Sequence, residues 1–121
     1  MPLRQWKIRI QHIIERIEFV QEFTKDRTFD EFRRDRRTSF AVITCLSVIG
    51  EAAKLVPSAV RQSYPGIPWN KLRRMRNILV HEYDRIPMDV IWKTTQQDLP
   101  PLLPELRRIL LQAEALDNSQ D

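Results

Sequence analysis

The sequence predicts an all-α, up-and-down bundle of four to five main helices. Three observations carry the prediction. Apolar residues recur at alternating steps of three and four along several long segments, the period of a helix that buries one face. No segment alternates with the period of two that marks a half-buried strand, and no internal repeat is evident. Proline, glycine and polar breaks punctuate the chain where one helix must hand over to the next.

The first helix is expected from about Leu3 to Phe23, because Trp6, Ile10, Ile13, Ile17 and Val20 form one stripe. Thr24 to Arg27 is a polar break. Thr28 and Glu31 then have the spacing of a capping box, which starts a short helix over Asp30 to Arg34. The next long helix spans about Arg37 to Leu55 and is apolar around much of its circumference, so it should be the central one. Its apolar stretch, Phe40 to Val56, is 17 residues long and carries Glu51 and Lys54. That reads as a core helix and not as a membrane span. Pro57 and the Tyr64-Pro65-Gly66 turn close this region, with room for one helical piece over Ser58 to Ser63.

Pro68 suits the first turn of a third main helix ending near Tyr83, with a seam of Trp69, Leu72, Arg76, Leu79 and Tyr83. Pro87 opens a fourth through Val90, Ile91 and Trp92, which Pro100, Pro101 and Pro104 should kink or break. The pattern resumes over Leu102 to Leu116. The domain is therefore 1–116, with Asp117 to Asp121 as a frayed tail.

Composition narrows the class. A chain of 121 residues suits one domain with a core large enough to need no disulfide or metal staple. A single cysteine, Cys45, excludes an internal disulfide framework and points to a reducing, cytoplasmic setting. Two histidines and one cysteine offer no Cys/His zinc site, and no metal or cofactor is expected. The first ten residues lack an uninterrupted apolar run, so neither secretion nor membrane association is expected. A net charge of +4 permits nucleic-acid binding without requiring it.

One segment stands out for chemistry, Arg73 to Arg85, with the sequence RRMRNILVHEYDR. Arg76 falls on the apolar seam, where a charge is costly unless it is paired, snorkels or is used. Glu51 is one candidate partner. Asn77 and His81 are four apart and share a face, so Asn77 can orient the imidazole. Arg76 and His81 are five apart, about 140° around a helix, so one straight helix does not aim both at one small ligand. Either the helix loosens at His81, or a symmetric dimer builds the site from two copies; the second is preferred. Imidazole is the natural acid/base group near neutral pH. The fork of Arg76 suits a phosphate and keeps its charge. Together the two residue types suffice for RNA cleavage without a metal: the base takes the 2′-OH proton, that oxygen attacks the adjacent phosphorus, and the arginine stabilises the added charge.

Arg76, His81 and Tyr83 spell R-x-x-x-x-H-x-Y, with Asn77 completing an R-N start. This resembles the HEPN superfamily, specifically its HepT-like branch. AVITCLSVIGEAAKLVP (Ala41 to Pro57) resembles that family's central helix, with its G-E-A signature at Gly50, Glu51 and Ala52. YPGIPWNKLRRMRNILVHEYDRI (Tyr64 to Ile86) resembles the motif block, and VIWKTTQQDLPPL (Val90 to Leu102) the helix that follows. The resemblance implies a small all-helical homodimer. It implies the toxin of a type VII-like toxin–antitoxin pair, an endoribonuclease that cuts RNA without a metal. It further implies an MNT-type nucleotidyltransferase antitoxin that transfers AMP to the motif tyrosine, and it allows a larger hetero-oligomer with that antitoxin. Carried over, Arg76 and His81 are catalytic, Asn77 supports the motif and Tyr83 accepts AMP. An alternative reading is a non-catalytic helical partner and modification substrate of such a nucleotidyltransferase.

Other residues are assigned as follows. Lys71, Arg73 and Arg74 lie beside the proposed site and can contact RNA phosphates. Arg33, Arg34, Arg36 and Arg37 form a second basic run, salted with acids. Glu51 is read as a structural ion pair, Gly50 as a point of close helix approach and Cys45 as a core residue. Trp6, Trp69 and Trp92 are read as packing anchors rather than base-stacking platforms.

Overall fold

A computed structural model of the chain describes residues 3–82 and 84–119. Among the described residues there are seven α-helices, one π-helical turn and no strand. They are α1 (Leu3–Thr24), α2 (Phe29–Arg34), α3 (Arg36–Leu55), α4 (Ser58–Ser63), α5 (Trp69–His81), α6 (Met88–Lys93), the π turn (Thr94–Asp98) and α7 (Leu102–Ser119). Four of these, α1, α3, α5 and α7, are long, and they form the expected all-α bundle.

The stripe of α1 is fully used: Ile10, Ile13, Ile17 and Val20 are buried against α3 and α7. After α1 the chain turns at Asp26, whose φ of 59° lies in the left-handed region that aspartate tolerates better than most residues. The capping box forms as expected. Glu31 N–H donates to Thr28 Oγ1 at 3.1 Å, and Thr28 N–H donates to Glu31 Oε1 at 3.1 Å. Asp35 then ends α2 and starts α3, accepting Thr38 N–H at 3.3 Å and the Thr38 hydroxyl at 2.7 Å.

α3 is the central helix, packed on α1 along one side and on α5 along another. Val42, Leu46, Ile49 and Ala53 are buried between them, and so is Cys45. Among the described helices it alone is long and apolar enough, by length and composition, to cross a bilayer. Its two packed sides account for that apolarity. Burial also pushes the Cys45 thiol above its usual range.

The far end of the bundle departs from expectation in one respect. Pro100 and Pro101 do separate the π turn from α7, but Pro104 breaks nothing. It sits in the first turn of α7, where its missing N–H would have had no helical partner. The π turn continues α6, and Leu99 N–H donates to Thr94 O at 3.0 Å. Gln96 Nε2 donates to Thr24 Oγ1 at 3.2 Å and ties this turn to the end of α1. Trp92 packs against Phe32, with ring centroids 5.1 Å apart, and so docks α6 on α2. Trp6 and Trp69 are buried, and Trp69 Nε1 donates to Tyr64 O at 2.9 Å. All three tryptophans are thus engaged in packing. The backbone of α7 remains helical through Ser119, beyond the point where a frayed tail was expected.

Candidate active site

The motif lies on α5, and α3 decides where its arginine goes. Gly50 makes the approach possible. A Cβ on Gly50 would stand 2.2 Å from Arg76 Cβ and 2.6 Å from the Leu72 carbonyl oxygen. Only a residue without a side chain lets the two helices come this close. The contact leaves Arg76 half-buried and brings Glu51, the next residue of α3, alongside it.

Arg76 Nε lies 3.2 Å from Glu51 Oε2. That oxygen is shielded from water and has no aligned hydrogen bond, so the attraction of the guanidinium is what compensates its charge. The neighbouring Arg76 Nη1 donates to Asn77 Oδ1 at 3.2 Å. An ion pair to α3 and a hydrogen bond within α5 therefore restrain the guanidinium at two of its nitrogens. The rest of its donors remain available to an anion.

Asn77 does not serve the role expected of it. Its oxygen accepts from Arg76, and among the described residues it makes no hydrogen bond to His81. The hydrogen bond that Asn77 makes is thus to the arginine of the motif and not to its histidine. His81 is exposed and is the last residue of α5. The helix does not loosen before it, since Glu82 N–H still donates to Ile78 O at 2.7 Å. Arg76 and His81 thus keep the helical offset of about 140°. Arg76 turns toward α3 and His81 toward solvent, so a single chain does not converge them. Tyr83, the expected AMP acceptor, lies outside the described residues.

The flanking basic residues differ in their partners. Lys71 reaches Asp98 at 3.6 Å, Arg73 donates to Asn70 Oδ1 at 3.4 Å, and Arg74 is exposed. Among the described residues no cluster of three His, Cys, Asp or Glu side chains is assembled. The sequence offers Glu51 as a structural ion-pair partner of Arg76, and that pair is present. The signal that it touches the site was the charge of Arg76 on an apolar seam, which requires a partner from a neighbouring helix.

Two large apolar side chains are exposed on these helices. Phe40 lies eleven residues before Glu51, three helical turns or about 16 Å away on the same face of α3. It is 63% exposed, and Val80, about one turn beyond Arg76 on α5, is 46% exposed.

The all-helical bundle thus presents a held arginine and an exposed histidine on one helix. Residues 13–109 match the family model described as Ribonuclease HepT-like, and the chain belongs to that family. It is 39% identical over 106 residues to a Thermococcus cleftensis protein named "Probable ribonuclease HepT", covering 88% of this chain and 96% of the relative. It is 34% identical over 119 residues to a provisionally named RNase of Methanocaldococcus jannaschii, covering 98% of each. A third relative, a provisionally named RNase of Caldanaerobacter subterraneus, is 33% identical over 101 residues, or 84% of this chain and 90% of the relative. No solved structure matches the chain.

Proposed function

We propose that this protein is the toxin of a toxin–antitoxin pair, a cytoplasmic, metal-independent endoribonuclease that works as a homodimer. The observation that carries the proposal is the arginine of the R-x-x-x-x-H-x-Y motif. It is held by Glu51 and Asn77 with donors to spare, on the helix that presents His81 to solvent. Holding a charged donor in place before substrate arrives is how a site stabilises charge without reorganising during the reaction.

In this reading the imidazole of His81 takes the proton of a ribose 2′-OH. The 2′-oxygen forms a bond to phosphorus as the bond to the 5′-oxygen breaks, and a protonated imidazole delivers a proton to the leaving oxygen. Arg76 balances the charge on the phosphoryl oxygens. The products are a 2′,3′-cyclic phosphate and a 5′-hydroxyl. A second copy covering the Phe40/Val80 surface supplies the convergence that one chain lacks, because a twofold axis sets two Arg76 and two His81 side chains around one cleft. Tyr83, two residues beyond His81, is the acceptor of AMP from an MNT-type nucleotidyltransferase. The added negative charge and bulk then occupy the phosphate site.

The test is cleavage of single-stranded RNA by purified protein with and without EDTA, beside His81→Ala. Cutting that survives EDTA, leaves cyclic phosphate ends and disappears in a normally folded His81→Ala variant is expected. A need for divalent ions, or full activity without His81, overturns the mechanism.

A further inference from the structure

Most described arginines near a carboxylate on this surface are paired with it. Arg27 meets Asp35 at 2.9 Å, Arg33 and Arg34 meet Asp30 at 2.6 and 3.2 Å, and Arg108 meets Glu105 at 2.6 Å. One place differs. Between α4 and the start of α5 lies a cleft of about 610 Å³ whose lining includes Arg61, Arg73, Arg74 and Lys71 and not one Asp or Glu. Lys71 has Asp98 as its counter-charge, at 3.6 Å. Arg61, Arg73 and Arg74 have no ion pair among the described residues. Arg73 has only the neutral Asn70 oxygen at 3.4 Å, and Arg61 Nε is shielded from water with no acceptor at all. Three guanidinium groups gathered without a counter-charge repel one another, and an anion in the cleft removes that cost.

Helix geometry connects the cleft to the motif. On α5, Asn70, Arg73, Arg74, Asn77 and His81 fall at steps of three and four and share one polar face. The stripe runs eleven residues from Asn70 to His81, about 16 Å along the axis. A strand laid on it has the acid/base histidine at one end and the arginine cleft at the other.

We propose that this cleft binds a backbone phosphate of single-stranded RNA flanking the bond that is cut, with Arg61 of α4 as its new member beside Arg73 and Arg74. The inference rests on the ribonuclease reading and adds to it the path of the substrate. Arg61 lies outside the motif block and carries no signal of its own in the sequence. Only the fold brings it to the cleft that Arg73 and Arg74 also line.

The experiment measures binding of a labelled single-stranded RNA by fluorescence anisotropy across a salt series, in the non-cleaving His81→Ala protein. Each lost phosphate contact to a single strand lowers the slope of log K against log salt by about 0.7. Arg61→Gln is therefore expected to weaken binding and lower the slope by about 0.7, and adding Arg73→Gln by about the same again. Arg34→Gln, on α2, is expected to leave the slope unchanged. Thermal melting of each variant verifies folding. RNA bound by the parent with an unchanged slope in Arg61→Gln overturns the cleft while leaving the ribonuclease reading intact. A parent that neither binds RNA nor, with His81 restored, cuts it overturns both.

Discussion

Gly50 on α3 lies directly against Arg76 on α5, so closely that a methyl group on Gly50 would stand 2.2 Å from Arg76 Cβ. The residue that lets the two helices meet and the residue that carries the positive charge of the site are thus one contact. Gly50→Ala is expected to push α5 away from α3. The clash with the Leu72 carbonyl is with backbone and cannot be relieved by a rotamer change. The loss should be about 1–3 kcal/mol, the usual cost of overpacking, read by chemical denaturation. RNA cleavage should fall with it, because Arg76 moves away from Glu51.

Glu51 separates positioning from stability. Both members of its pair are partly exposed, with side-chain exposures of 28% for Arg76 and 43% for Glu51. Such a pair contributes about 1 kcal/mol or less. Glu51→Gln should therefore change the melting temperature little while lowering kcat for RNA cleavage more than it changes KM. Glu51→Asp should recover part of the loss. A variant that loses stability and keeps its kcat would make Glu51 purely structural.

Phe40 tests the dimer. It is 63% exposed on the face of α3 that carries Glu51, so Phe40→Asp removes no core contact of the single chain. Light scattering after size-exclusion chromatography should show the variant as a folded monomer without ribonuclease activity. A variant that stays dimeric and active would place the twofold contact elsewhere.

Tyr83 tests the switch. Intact mass spectrometry of the protein co-expressed with a neighbouring nucleotidyltransferase should show added AMP, absent from Tyr83→Phe. Co-purification without added mass would shift inhibition to masking by the bound partner.

Asp35 sets a pH dependence. The hydroxyl and N–H of Thr38, and then Arg27, favour its ionised form and hold its carboxyl below the usual aspartate range. The folded state therefore binds this proton less readily than the unfolded chain. The stability it contributes is present above the unfolded value of about 3.9 and is lost as pH falls through the lower folded value. Asp35→Ala should melt at a lower temperature than the parent at neutral pH. The gap should narrow below about pH 4. A gap that is constant with pH would assign the effect to capping geometry alone.

Most of the helices were legible from residue order because their causes are local. The stripe from Trp6 to Val20, the Thr28/Glu31 capping box and the proline before α5 act within a few residues along the chain. So does the R-x-x-x-x-H-x-Y spacing, which by itself places Arg76 and His81 on one helix. Pro104 was misread because the same ring that breaks a helix interior fits a first turn, and a shift of a few residues in the boundary separates the two cases.

What residue order alone did not specify is the set of relations between helices. Asn77 has the spacing to reach His81, yet its oxygen accepts from Arg76. Glu51 was a plausible neighbour of Arg76 and became its counter-charge because Gly50 allows α3 and α5 to touch. Arg61, in a six-residue helix with no pattern of its own, gained its setting from the turn that leaves α4 and the start of α5 lining one cleft. Periodicity assigns a side chain to a face of its own helix. Which charge meets it there depends on how two faces distant in sequence are brought together, and that is a property of the packed chain.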